Sequence, residues 1–391
     1  MKSKLRVIPC LILLLPLDLI VAIGILLAQL PSLFGRGRRA LGAPGEGPRS
    51  NQILRPSPFP EASPYRARAS RPLPEGEGNL LATKLRWQAP AGGMSAGCHR
   101  SCKIRWRKAR SPCRRQRQRR RQCPVCPGQL PRGRHSRPGP ELWFTGGNNH
   151  AANRIDTDII VFLNNDMVVD RGFLQPLLNP FSDPSVFAVT SQIFFSDQTR
   201  RREETGKTRA RFGRGFFYFW HDAIGPEDEN LETLPVLWAG GGSCAIDRRK
   251  FLAIGGFDPL YHPFYFEDTD VSYQAWKRGW KCLLAPASRV IHKHRATTKA
   301  KFSNRFVELM VRKNQYLFTW KNVTDSAMIF QHLRNLPRIH ARGMVQYGPL
   351  FEAHAFVRAV QQLPQALAKR LSNLSCYAIP DREVLARSQK S

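Results

Sequence analysis

A chain of 391 residues is long for one domain of roughly 100 to 200 residues and short for three, so one large α/β domain with appendages is expected. With 42% hydrophobic residues it is not disordered as a whole, and its 30 Pro and 29 Gly follow no collagen period. The net charge of +32 is lopsided: residues 1–140 hold 28 Lys or Arg against 5 acids, whereas 141–391 hold 33 against 24.

From Val7 to Leu30 an apolar segment is broken by one charge, Asp18, and is long enough to span a bilayer. No A-x-A cleavage pattern follows, so residues 1–34 read as a transmembrane anchor in preference to a signal-like segment, with a buried core helix as the plainer alternative that nothing nearby in the sequence would cover. Basic residues on both flanks, Lys2, Lys4 and Arg6 before and Arg36, Arg38 and Arg39 after, leave its orientation open. Residues 35–83 form a Pro/Gly/Arg-rich linker. Residues 84–140 hold 17 Lys or Arg, no acid and five cysteines, with neither helical nor strand periodicity. Of the nine cysteines, those five crowd into this stretch, and Cys244 and Cys282 sit in apolar runs. That usage opposes a secreted cystine framework and favours a reducing compartment.

At Glu141 the composition changes to that of an alternating α/β domain, 141–320. Asp158–Leu163 suits a buried parallel strand, and a helix is expected to start near Arg171. Ser185–Ile193 reads as the next strand, and Pro235–Ala239 as another, running into Gly240-Gly241-Gly242. Asp247 is placed to cap a helix over Arg248–Ile254 that Gly255-Gly256 stops. A helix over Glu267–Arg278, a β-like run over Trp280–Leu284 and an amphipathic helix over Ser303–Trp320 follow. Residues 321–391 form a helical extension, with a helix over Phe351–Leu371 interrupted at Pro364.

Three polar clusters fall where an open α/β sheet places ligands, beyond the carboxyl ends of strands. Asn164-Asn165-Asp166 follows a buried strand; Asp166 suits a hard divalent cation, although the same triplet also suits an ordinary turn. Phe266-Glu267-Asp268-Thr269-Asp270 puts three acids at a helix start, as plain helix initiation would, but behind an aromatic run that suggests a cleft wall. A carboxylate in such a cleft can take a proton from an attacking hydroxyl. Trp238-Ala239-Gly240-Gly241-Gly242-Ser243 allows close backbone approach to a ligand and lacks the Lys-Ser/Thr ending of a phosphate-binding Walker loop. His292, beside His294, is a candidate second metal or phosphate contact; a lone histidine is more often structural.

Taken in order, TGGNN (145–149), DIIVFLNNDMVVD (158–170), AGGGSCAIDRRKFLAIGGFD (239–258), FYFEDTDVSYQAWKRGW (264–280) and VIHKH (290–294) resemble the second half of a family 2 glycosyltransferase, with a leaning to bacterial rhamnosyltransferase-like members. The resemblance implies a GT-A fold, a Rossmann-like mixed sheet with flanking helices. It also implies inverting, metal-dependent transfer of a sugar from a nucleotide-sugar donor to a hydroxyl of a glycan or lipid-linked acceptor. By position, Asp268 matches the catalytic base, with Glu267 beside it. Asp166 and His292 match ligands of Mg²⁺ or Mn²⁺. Gly146, Gly147, Asn148, Asn149, Asn164 and Asn165 fall on the donor side. Trp238, Gly240, Gly241, Gly242 and Asp270 fall on the acceptor side. Gln274 departs from a frequent Arg, and the Q-x-x-R-W signature of processive synthases is absent, which implies one sugar per encounter. Cytosolic synthesis of nucleotide sugars implies a single-pass protein of the inner (cytoplasmic) membrane, held through residues 7–30, with its domain facing the cytosol.

The family's first half, with its base- and ribose-binding strands, is not recognisable between residues 35 and 140; that half is degraded or replaced. Two explanations compete. In one, Cys98, Cys102, Cys123 and Cys126 bind Zn²⁺ and the arginines hold nucleic acid, making the chain a nucleic-acid-binding protein with a vestigial transferase domain. In the other, which the absence of acids favours, residues from about Lys84 to Pro140 come from a shifted reading frame, and the transferase is an inactive remnant or a damaged enzyme. Nucleic acid is not expected as a partner under that explanation.

Overall fold

The computed structural model describes residues 14–29, 144–164, 166–196, 206–293 and 302–389. Both explanations of the arginine-rich stretch, and the position of Asn165, lie outside these residues.

Strands β1 (Ile159–Leu163), β7 (Ser243–Asp247), β3 (Val186–Phe195), β8 (Lys281–His292) and β2 (Met167–Val169) lie side by side in that order, and β6 (Leu234–Pro235) pairs with β8. Only β3 and β8 run parallel; β1–β7, β3–β7, β2–β8 and β6–β8 are antiparallel, so the sheet is mixed. The parallel pairing expected of Asp158–Leu163 is therefore corrected. An unbroken apolar run reports burial on both faces, but strand direction is set by the distant partner β7. Alternation in β1 sends Ile160 and Phe162 into one core and Ile159 and Val161 into the other.

Helix α1 spans residues 14–29, and α2 is Phe144–Arg154. Short helices α3 (Leu174–Leu178) and α4 (Pro226–Glu229) follow; α3 begins three residues beyond the expected Arg171. Helix α5 (Arg248–Ile254) starts where Asp247 accepts the Lys250 N–H and ends at Gly255, left-handed at φ +99°, as its sequence dictates. Helix α6 is Glu267–Lys277. Helix α7 (Asn304–Asn322) is capped by Ser303. The extension is a layer of α8 (Ser326–Tyr347), α9 (Pro349–Gln361), α10 (Leu363–Asn373) and α11 (Asp381–Arg387). The break near Pro364 separates α9 from α10.

Two features escaped the sequence. Strands β4 (Thr208–Gly213) and β5 (Phe216–His221) form a hairpin whose turn, Arg214-Gly215, takes positive φ at both positions, as tight hairpins of right-handed twist require. Its aromatic face, Phe217 and Phe219, packs on Phe318 of α7. Strand β8 runs eight residues beyond the expected Leu284, to His292, because Arg289–His292 pair with Gln192–Phe195 after a register shift.

Among the described residues no helix is long and apolar enough to cross a membrane. Residues 7–13 and 30 of the expected span lie outside them. Helix α1 buries one face, Leu14, Val21 and Ile25, in the main core.

Candidate active site

Three loops interlock at one end of the sheet. After β1, the Asn164 N–H donates to Gly242 O (2.9 Å), and the Met167 N–H returns to Asn164 O (3.2 Å), closing a tight turn that turns the chain into β2. Register between β2 and β8 pairs Met167 with His292, and the Lys293 N–H donates to Asp166 O (2.8 Å). This brings Asp166 Oδ2 within 3.1 Å of His292 Nε2 across 126 residues of chain. The other oxygen, Oδ1, is buried without a hydrogen-bond partner. A carboxylate and an imidazole in contact, with a buried orphan oxygen, fit a hard or borderline divalent cation that takes its remaining ligands from a diphosphate.

Two of the three glycines are needed for close approach. A Cβ at Gly241 would lie 2.8 Å from Phe144 Cζ, and one at Gly242 would lie 3.0 Å from Met167 Cε and 3.2 Å from Asn164 Nδ2; one at Gly240 would meet open space. The Gly241 N–H donates to Asp268 Oδ2 (3.1 Å), so the glycine run joins the Asp166 loop to the acids of α6. Trp238 is largely buried, its main chain tied to the Thr208 hydroxyl and its ring against Phe219 and His221.

The acids have different surroundings. Asp268 Oδ1 accepts the Thr269 N–H (2.7 Å). Burial raises its pKa, opposed by the Gly241 and Thr269 N–H groups and by His221. Burial, and then the charge of Asp268, push Glu267 up to about 8, and its Oε2 has no partner. Burial and mutual repulsion therefore favour keeping a proton on the pair.

Asp270, expected on the acceptor side, is 0% exposed and bonded within the protein. Its Oδ2 accepts Lys321 Nζ (2.6 Å) and Gln274 Nε2 (2.8 Å), and its Oδ1 accepts the Tyr261 hydroxyl (2.7 Å) and Asn322 Nδ2 (2.7 Å). Lys321 also holds Asp258 at 2.6 Å. The cation beside Asp270 thus comes from α7, and Gln274 adds a neutral donor.

Helix α7 also fixes the aromatic approach to the acids. Tyr265 and Phe266 take positive φ, +68° and +80°, an uncommon conformation for bulky side chains. Asn314 Nδ2 reaches the carbonyls of Tyr261, Phe264 and Tyr265 at 2.9–3.1 Å, and Lys313 Nζ reaches that of His262 at 3.2 Å. Asn314, Lys313 and Lys321 were missed because a polar residue in an amphipathic helix looks like its solvent face until its partner is known.

The TGGNN segment lies in helix α2. Gly146 and Gly147 lie in the first turn of α2, and Asn148 is buried with its Oδ1 unpartnered. Asn149, expected on the donor side, donates from Nδ2 to Phe257 O (2.7 Å) and accepts the Phe257 N–H at Oδ1 (2.9 Å), locking α2 to the turn after α5.

Comparison with known proteins places this arrangement. Residues 144–310 match the family described as "Glycosyltransferase like family 2". The chain is 32% identical over 143 residues to "Putative polypeptide N-acetylgalactosaminyltransferase 10" of Drosophila melanogaster, covering 34% of this chain and 22% of that protein. It is 28% identical over 158 residues to "O-antigen biosynthesis protein RfbC" of Myxococcus xanthus, covering 39% of this chain and 12% of the relative. The matches thus span at most about a quarter of either relative. Animal proteins stand beside a bacterial one, so the leaning to bacterial members is not supported. Among solved structures, GalNAc-T7 with UDP, GalNAc and Mn²⁺ is 19% identical with a TM-score of 0.38, over 57% of this chain and 43% of that one.

Proposed function

We propose that this chain, a family 2 glycosyltransferase over residues 144–310, transfers one sugar from a nucleotide-sugar donor to an acceptor hydroxyl with inversion. The observation that carries the reading is the meeting of three loops, Asp166 with His292, Asn164 with Gly242, and Gly241 with Asp268.

Asp166 and His292 would hold Mg²⁺ or Mn²⁺, which when bound offsets the charge of the donor diphosphate. Asp268 is the general base. Its raised affinity for a proton suits it to accept one from the acceptor hydroxyl as that oxygen forms a bond to the anomeric carbon and the bond to the diphosphate breaks. The Gly241 N–H orients the carboxylate, and protonated Glu267 keeps a second charge out of the same site. Gly240, beside open space, is where an acceptor can approach the backbone. Asp270, Lys321 and Asn314 position the base and touch no substrate.

A second reading, an inactive remnant, is favoured by one observation: residues 35–140 carry no recognisable donor-binding strands. Calorimetry with Mn²⁺ and a panel of UDP-GalNAc, UDP-glucose and dTDP-rhamnose separates the two. Metal-dependent heat with one donor, and turnover lost in Asp268→Asn, support the transferase. Undiminished turnover in Asp268→Asn removes the base assignment, and absence of heat with every donor favours the remnant.

A further inference from the structure

The outer side of the C-terminal helical layer carries side chains that the transfer site does not use. Helix α1 lies across that layer. Gln29 Nε2 donates to Thr324 O at 3.2 Å, Asp18 Oδ1 meets His340 Nε2 of α8 at 2.9 Å, and a Cβ on Gly24 would stand 3.0 Å from Leu367 of α10. With that face seated, the opposite face presents Leu15, Leu19, Ile20, Ile23, Leu26 and Leu27, each between 50% and 61% exposed. Phe330 and Val345 of α8 and Leu350 of α9 are further exposed apolar side chains, Leu350 at 82%. Six exposed apolar side chains on one helix face mark an interaction site.

Charge identifies the partner. Residues 326–373 hold six Lys or Arg and a single acid, Glu352. That acid is fully buried, held by both Arg312 Nε and Nη2 at 2.8 Å. Every full charge that α8, α9 and α10 show to solvent is therefore positive, whereas α11 adds an exposed Glu383 paired with Arg387. Arg334, Arg338 and Arg342 follow one another at helical spacing on the exposed stripe of α8. A second copy of the chain would set these cations against each other, whereas an anionic lipid surface neutralises them. At the Leu350 end, a cavity of about 330 Å³ is lined by the apolar Phe306, Leu309, Leu350 and Phe351, with Arg305 as its one cation. Phe306 in turn packs on Phe264, at the start of the aromatic approach to the acids.

We propose that α1 and the exposed stripes of α8 and α9 form an in-plane docking surface for an anionic phospholipid bilayer. Their apolar side chains enter the headgroup–acyl boundary, and the arginines meet lipid phosphates. The helix lies along the membrane with one side on the domain instead of crossing it.

The test uses the purified full chain and sedimentation with phosphatidylcholine vesicles, with and without phosphatidylglycerol. Binding is expected to be about tenfold or more tighter to the anionic vesicles and to fall as salt rises. Leu19→Gln with Ile23→Gln should weaken it about tenfold or more, and Arg334→Glu with Arg338→Glu should remove the anionic preference. The arginine pair is exposed, so its thermal unfolding should be unchanged and its result interpretable even if the α1 pair misfolds. Equal or absent binding to the two vesicle types, or an anionic preference that survives the arginine changes, overturns the proposal. A concentration-dependent dimer that the α1 pair abolishes assigns the face to a second copy. Resistance of the native chain to alkaline carbonate extraction from cell membranes overturns the in-plane arrangement in favour of a spanning helix.

Discussion

Asp268 and Asp270 stand two positions apart on α6, and their amide replacements should fail in opposite ways. Asp270→Asn turns an acceptor that receives four donors into a group with an NH₂ facing two of them, Lys321 and Gln274 on one side or Tyr261 and Asn322 on the other. It also leaves Lys321, 1% exposed at its side chain, with Asp258 as its one remaining close carboxylate. Breaking one partner of a buried ion pair costs about 3–5 kcal/mol, which should lower Tm by roughly 6–20 °C in a folded unit of this size. In Asp268→Asn, the Thr269 N–H keeps an oxygen acceptor, the new NH₂ faces the Gly241 N–H, and a carboxylate whose ionisation burial opposes becomes neutral. Stability should fall by no more than about 1–3 kcal/mol, while turnover falls by roughly 10² to 10⁴. Scanning calorimetry and single-turnover transfer on both variants make the comparison. An Asp270→Asn protein that keeps its Tm and loses only turnover would refute the structural role assigned to Asp270 and return it to the acceptor side.

Three further outcomes follow from the same geometry. Glu267, held at about 8 when folded against an ordinary 4.5, binds its proton more tightly in the native state, so its contribution to stability should decline as pH rises from about 4.5 to about 8; denaturant titrations should show that slope flattened in Glu267→Gln. Burial alone would lower the pKa of His340, yet Asp18 and Glu352 hold it above its ordinary 6.5. The tie between α8 and α1 should therefore be complete below pH 6.5 and weaken as pH rises through the folded value, a loss that Asp18→Asn reduces in hydrogen exchange of residues 14–29. Gly241→Ala forces its methyl to within 2.8 Å of Phe144, an overpacking of about 1–3 kcal/mol that also disturbs the N–H holding Asp268, so Tm and turnover should both fall.

What the sequence determined by itself was local. Apolar runs marked β1 and β3, Asp247 and Ser303 marked helix starts, Gly255 marked a stop, and the ordered motifs singled out Asp166, His292 and Asp268. Each such signal is read from neighbours within one turn or one strand, where capping and pleat impose a period. Tertiary structure alone decided the direction of β1, the continuation of β8, the β4–β5 hairpin and the exposed face of α1. It also separated the two acids: Asp268 bonds a glycine N–H 27 residues away, whereas Asp270 neutralises a lysine 51 residues away. A carboxylate has the same chemistry in either place, and only the fold determines whether a backbone N–H or a buried lysine meets it.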